Sequence, residues 1–410
     1  MDLKSGHLAW PETLQHADSY SKLDHDIECD VIVIGGGMSG IMIAYELSKQ
    51  GKHVAVVEKR KVSHGSSSCN TGLLQYCNDK TLTSCIHTFG EQAGVRFYQL
   101  CKQAMEKIVN LQNELVIDPH LIPRCSLYYA SSDEDVAQLR EEYETLRRYD
   151  FPVEWWNAEQ IKQFFGFAKP AAIVTHGDAE VNPFRFIHAL AATGVQNYNL
   201  EIYEDTEVVH HEFHPDSVTV ITADRHRLHA KHAIYAMGYE TQEFKRDRNA
   251  VLTSTYALVT APLPGLERIW HERMLIWETA RPYNYMRTTP DNRIVAGGLD
   301  ESTADPEQRD RMFPHKIELL KQHIETLFPS LSPIEINYSW AAVFGSTHDG
   351  YPMIGSHPDY PRCFFIEGYG GNGTVYSAIA TEIIPALIAQ GSHPDAELFS
   401  LTRSSHSAPN

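Results

Sequence analysis

No run of this 410-residue chain approaches the roughly 20 apolar residues that a helix needs to cross a bilayer. The opening MDLKSGHLAWPETLQHADSY also lacks a basic start followed by an apolar stretch, so no secretory leader is expected. Cysteine is sparse and unpaired in pattern. There are seven, scattered and without a C-x-x-C pair, which excludes a disulfide framework. Cys69, Cys77 and Cys85 are evenly spaced but have no histidine partners at zinc spacing. Positive charge is also short: 35 basic against 53 acidic residues leave a formal charge of −18. That balance argues against a nucleic-acid surface and against adhesion to anionic membranes. The histidines of HHEFH (210–214) and RHRLHAKHA (225–233) lack a companion ligand at a recognisable spacing and read as solvated strand and turn positions, so no metal site is expected. A cytoplasmic protein without a transmembrane segment is the expectation.

With 42% hydrophobic and 21% charged residues, the composition is that of a globular chain long enough for two or three domain-sized units. Its clearest stretch is CDVIVIGGGMSGIMIAYELSKQGKHVAVVEKR, residues 29–60. Val31 to Ile34 is a continuous apolar run, as a strand buried on both faces requires. Ile41, Ala44, Tyr45 and Leu47 then recur at helical spacing, Gly51 ends the helix, and Val54 to Val57 forms a second buried strand. Between strand and helix, Gly35 permits a tight turn, Gly37 lets the backbone approach a pyrophosphate, and Gly40 lets helix and sheet pack closely. Met38 and Ser39 open the helix, whose unpaired N–H groups suit phosphate. Glu58, followed by Lys59, ends the second strand at the spacing expected for a ribose-binding carboxylate, which disfavours a 2′-phosphate. The unit predicts an ADP-containing dinucleotide and leaves FAD and NAD open.

Residues 91–150 read as helices from two apolar stripes, Leu100 to Leu115 and Val136 to Leu146. Asn157 and Gln160 are placed as a capping box. Strand patterns fill 200–238 and 250–300, and a helix is expected near 315–328. A second glycine cluster, EGYGGNGTVYSAIATEII, begins at Glu367. Gly368, Gly370 and Gly373 satisfy G-x-G-x-x-G, yet too little chain remains for a second dinucleotide unit.

Seven stretches in order give the pattern a wider meaning: VIVIGGGMSGIMIAYELSKQGKHVAVVEK, GSSSCNTG, AEVNPFRFIHAL, HAIYAMGY, MRTTPDNRIVAGGLDE, WAAVFGSTHDGYPMIG and FFIEGYGGNGTVYSAIATEII. Together they resemble the D-amino-acid oxidase-like superfamily of FAD-dependent oxidoreductases, in its glycine oxidase, sarcosine oxidase and gamma-glutamylputrescine oxidase branch. The resemblance implies an α/β fold in which a Rossmann-like FAD-binding domain is interleaved with a smaller α+β substrate domain on a mixed, mostly antiparallel sheet. The expected FAD-binding segments are 27–90, 170–240 and 336–395, the substrate segments 91–169 and 241–335, with 1–26 as an N-terminal extension.

By the same resemblance, Ser67, Ser68, Asn70, Thr71, Gly72 and Leu73 run along the ribityl chain and flavin. Val208 contacts the adenine, and Ala236 and Gly238 close the dinucleotide-binding sheet. Gly345 and the loop Gly370, Gly371, Asn372, Gly373 and Thr374 lie beside the flavin ring, with the helix start at the ring's pyrimidine edge, where reduced flavin carries negative charge. The implied reaction is hydride transfer from an amine or amino acid to flavin, giving an imine that water hydrolyses, with oxygen or another acceptor reoxidising the flavin. The position where glycine oxidase-like members carry a carboxylate-binding arginine is Ser346 here. Arg287 is the expected substitute, with Tyr285 and Tyr256 as pocket walls. Cys69 lies near where some relatives carry a flavin-linked histidine. Two alternatives stand beside this reading: a flavin-bound scaffold without turnover, and a glycerol-3-phosphate dehydrogenase-like activity, for which no basic phosphate cluster is evident.

Overall fold

The computed structural model describes residues 1–403. Two sheets share the chain between them. The strands Ile27–Ile34 and Val54–Val57 pair in parallel, as their unbroken apolar character demands, and Val31 to Val33 and Val54 to Val57 are buried. Leu200–Tyr203 extends this parallel set on one side; Arg227–Tyr235 and then Tyr360–Glu367 extend it on the other. Met353–His357, Val218–Thr222 and Val208–Phe213 add antiparallel pairings to complete an eight-stranded sheet. The helices Met38–Lys49, Pro183–Asn197, Gly373–Gln390 and Glu91–Leu111 pack together, and their apolar residues join one large core.

The second sheet has ten strands and a single parallel pairing, Leu275–Glu278 with Ile122–Tyr129. It is the mixed, mostly antiparallel sheet expected. The helix Pro306–Leu327 covers one face, burying Ile317, Leu320 and Ile324 against the strands Ala250–Thr260, Ile294–Glu301 and Ile336–Thr347.

Sheet membership crosses the expected segment boundaries. Ala171–Glu180 and Ile336–Thr347 belong to the ten-stranded sheet, although their residues fall in segments expected to be FAD-binding. Lys4–His7, from the expected extension, pairs antiparallel with Ile336–Thr347. Strand partners are chosen by long-range pairing, and the local pattern of a strand does not reveal which sheet takes it. Residues 91–150 are likewise not all helical: Ile122–Tyr129 is a strand between the two apolar stripes. Its β-branched and aromatic residues favour extended backbone, but flanking helical periodicity masks it. The capping box forms as expected: Gln160 N–H donates to Asn157 Oδ1 and Asn157 N–H donates to Gln160 Oε1, each at 3.0 Å.

Parallel pairing resolves the puzzle of the second glycine cluster. Ile34, Tyr235 and Phe365 lie in register across adjacent parallel strands. Gly35, Ala236 and the loop from Gly368 therefore leave the same edge of one sheet. The second cluster completes the first unit instead of starting another.

Candidate active site

Crevices at the carboxyl ends of parallel strands are where open α/β sheets bind ligands. Here that edge opens into a cavity of ≈ 540 Å3 that continues to the face of the ten-stranded sheet. One end is built by the βαβ unit. Gly35 has φ +112°, and an added Cβ would overlap the carbonyl oxygen of Ala236. A Cβ on Gly40 would overlap the carbonyl of Gly35, so both positions need glycine for contact and not only for flexibility. Gly37 is different: its backbone is extended, and a Cβ would lie 2.9 Å from Ser67 Oγ at the cavity wall. Met38 N–H, in the first turn, donates to the same Ser67 Oγ at 2.9 Å.

Glu58 accepts from Gly36 N–H at 2.7 Å and Arg60 N–H at 2.8 Å. Burial raises its carboxyl against these bonds, which pull the other way. Lys59 and Arg60 both reach Glu240, at 3.0 and 2.8 Å. Although burial opposes it, the Arg60 and Lys59 charges hold the Glu240 carboxyl down at about 2. Its folded value lies below its ordinary 4.5. Glu240 thus contributes stability that is complete above about pH 4.5 and disappears as pH falls toward 2. Glu240→Gln is expected to cost about 1–3 kcal/mol at neutral pH and to flatten that acid limb, measured as urea unfolding against pH.

The middle of the cavity joins the two loops. Asn70 Oδ1 accepts from Gly72 N–H at 2.7 Å, while its Nδ2 approaches Thr374 Oγ1 at 3.4 Å. Ser39 Oγ and Ser377 Oγ are 2.7 Å apart, linking the first turns of the two helices that face the cavity. Gly370 N–H donates to Gly345 O at 2.8 Å, and Asn372 Nδ2 donates to Cys77 O and Asn78 Oδ1, both at 2.8 Å.

Most of the expected cofactor residues reach this cavity. Gly35, Gly37, Met38, Ser39, Glu58 and Lys59 line its first end; Ser67, Asn70, Thr71 and Leu73 line the middle. Val208, Ala236, Gly238 and the loop Gly370 to Thr374 complete the wall. Four expected residues sit behind it. Gly40 packs against Gly35, and Ser68 bonds to Gly65 O and Lys4 Nζ. Gly72 lies against Val181, and Gly345 packs on the Tyr239 ring. Cys69 lines the cavity, with its thiol pushed up to about 11 by burial.

The expected substrate residues divide. Tyr285 lines the cavity, whereas Arg287 and Tyr256 do not. The Arg287 guanidinium is buried and spends its donors on backbone: Nε on Thr71 O at 2.7 Å, Nη2 on Val181 O at 2.9 Å and Nη1 on Thr288 O at 3.0 Å. Burial pushes it down to about 10, still protonated at neutral pH. It braces the loop at Thr71 and does not line the cavity, so it is out of reach of a substrate carboxylate there. Tyr256 belongs to the core beneath the ten-stranded sheet, where its hydroxyl approaches Arg309 O at 3.5 Å. Its neighbour Thr255 is the residue that faces the cavity, as strand alternation requires. Ser346 pairs with Val251 within the sheet and does not line the cavity.

Sequence reasoning missed Asp79, Asp300, Tyr283 and Trp277, which line this same end. Asp79 Oδ2 accepts from Gly371 N–H at 3.2 Å, so the glycine loop already has a carboxylate partner. Burial, with the Asp79 charge adding to it, pushes the Asp300 carboxyl up to about 6, against the Thr255 hydroxyl and Lys316. Trp277 stacks on Tyr128 with centroids 3.7 Å apart, and its indole N–H finds no protein acceptor. The one available signal was alternation along the strands from Trp277 to Asp300, which places Trp277 and Tyr285 opposite one another in register. Among the described residues there is no cluster able to hold a metal ion, and no helix is long and apolar enough to cross a membrane.

The chain is 25% identical over 393 residues to gamma-glutamylputrescine oxidoreductase of Escherichia coli, covering 93% of this chain and 87% of the relative. It is 26% identical over 368 residues to glycine oxidase of Bacillus licheniformis, covering 88% and 92%. The crystal structure of glycine oxidase from Geobacillus kaustophilus superposes with a TM-score of 0.78 at 21% identity, covering 92% of this chain and 99% of that one. The profile of the DAO family, described as FAD dependent oxidoreductase, matches residues 30–386. With that match covering most of the chain and strands of both sheets, the chain belongs to the DAO family of FAD-dependent oxidoreductases.

Proposed function

We propose that the protein oxidises the C–N bond of an amine that carries no carboxylate beside the reacting carbon. The observation that carries this is the charge of the cavity. The lysine and arginine that line it, Lys59 and Arg60, are at the ribose end and are committed to Glu240, whereas the opposite end presents Asp79 and Asp300. A buried carboxylate without a cation partner is costly, and the arginine expected to supply one is consumed by backbone carbonyls. The amine and amino-acid oxidoreductases among the relatives support the reaction class.

The residues fit FAD. Glu58 would hold a ribose, Gly37 would leave room for a pyrophosphate, and Asn70, Thr71 and the Gly370–Thr374 loop frame the space beyond. When bound, FAD supplies the acceptor for the two electrons and the α-hydrogen of the substrate. Tyr285, Tyr283 and Trp277 line the end of the cavity at which the amine would be held. Water would hydrolyse the imine product to a carbonyl compound and ammonia or an amine, and turnover would require oxygen or another electron acceptor.

The reacting amine must be neutral, since its lone pair assists departure of the α-hydrogen. Bleaching of the flavin absorbance by amines, followed anaerobically in a stopped-flow instrument, should accelerate with pH through a single apparent pKa. Amino acids should bleach it at least tenfold less efficiently than uncharged-chain amines of similar size. Rapid bleaching by amino acids alone would overturn the assignment, and bleaching by no amine would favour a flavin-bound scaffold.

A further inference from the structure

The substrate end of the cavity has more negative charge than an amine with one nitrogen requires. Asp300 leaves the strand Ile294–Glu301, and Asp79 comes from the distant segment before the helix Leu82–Phe89; both line the cavity. Their neighbours do not neutralise them. Lys316, whose charge lowers the Asp300 carboxyl, is bonded to Glu301 and to Leu299 O. Arg281 lies over the Tyr283 ring at 5.1 Å and donates through Nη1 to the carbonyls of Glu278, Thr279 and Ala280. Around the two acids stand Tyr283 and Tyr285, with ring centroids 5.8 Å apart, and Trp277, whose buried N–H lacks a partner.

We propose that the substrate is a diamine or polyamine, whose second ammonium group is held by Asp300 and Asp79 within the Tyr283, Tyr285 and Trp277 walls while the first amine reacts. This rests on the amine reading above and specifies its substrate class. Carboxylates and aromatic faces are the two protein groups that attract ammonium in a partly desolvated site. A second ammonium supplies the countercharge that the pair lacks, and it favours ionised Asp300, whose carboxyl is raised by burial and by Asp79. The methylene chain between the nitrogens matches the aromatic walls.

The test compares 1,4-diaminobutane, spermidine, n-butylamine and glycine on the FAD-loaded protein under anaerobic conditions, reading Kd from calorimetry and flavin bleaching separately. The diamine should bind at least tenfold more tightly than n-butylamine. That preference should shrink to within about twofold in Asp300→Asn and fall in Asp79→Asn, with circular dichroism reporting whether each variant keeps the fold. Equal affinity for n-butylamine and 1,4-diaminobutane in the unmodified protein overturns the proposal, whatever the variants do. So does a preference that survives in both folded variants. If monoamines bleach the flavin as readily as diamines, the amine reading stands and the diamine class falls. If no amine bleaches it, both fall.

Discussion

Gly37→Val should purify without yellow colour, binding FAD at least about a hundredfold more weakly, equivalent to about 2.7 kcal/mol. Gly37 caps the helix Met38–Lys49 with φ −87° and ψ −168°, a conformation open to valine. An added Cβ meets one atom within 4 Å, Ser67 Oγ at 2.9 Å. A hydroxyl at the tip of a short side chain can turn aside, so the strain on the fold is small. The isopropyl group would instead project into the cavity where the pyrophosphate approaches the helix N-terminus, and it would displace the Ser67 hydroxyl that Met38 N–H uses. The measurement is flavin absorbance per chain, with far-ultraviolet circular dichroism and unfolding by urea as controls. A colourless, folded protein is the expected result. Full FAD occupancy would show that the pyrophosphate takes another path. Gly40 offers a contrast: there a Cβ overlaps the backbone carbonyl of Gly35, so Gly40→Val should lose the fold along with the cofactor.

Arg287→Ala should lower stability by about 3–5 kcal/mol and reduce FAD occupancy, without changing the preference between amines and amino acids. The guanidinium is one of the largest fully buried side chains, and it satisfies the carbonyls of Thr71, Val181 and Thr288. Deleting it orphans these acceptors and leaves a void beside Trp10, whose ring lies 5.2 Å from the guanidinium carbon. Thr71 lines the cavity, so the loss of its brace reaches the cofactor. Arg287→Lys should recover less than half of the stability, because one ammonium cannot imitate a planar fork directed at three carbonyls. Urea unfolding and flavin content measure these effects. A fully stable Arg287→Ala protein with a selective loss of amino-acid turnover would return Arg287 to the substrate site.

The βαβ end of the cavity was legible because its determinants are local. Strand, glycine turn, helix and Glu58 lie within one stretch, and each leaves a mark in composition or periodicity. The substrate half was not. Arg287 and Tyr285 are two positions apart on one strand and share a face, yet one enters the cavity while the other is sealed beneath the loop at Thr71. Alternation assigns a face but not what covers it. Tyr256 and Thr255 show the complementary difficulty: the aromatic attracted attention, and the smaller neighbour has the cavity-facing position.

What the sequence by itself determined is the dinucleotide-binding unit and its carboxylate, because glycine geometry and buried-strand composition act over a few residues. It also set the character of the chain as acidic and short of long apolar runs. Tertiary structure alone decided that the second glycine loop leaves the same sheet edge as the first, since this depends on parallel register between distant strands. It alone consumed Arg287 on backbone carbonyls and brought Asp79 and Asp300 to one wall. Charge complementarity arises between residues that chain folding places together, and no spacing along the chain records it.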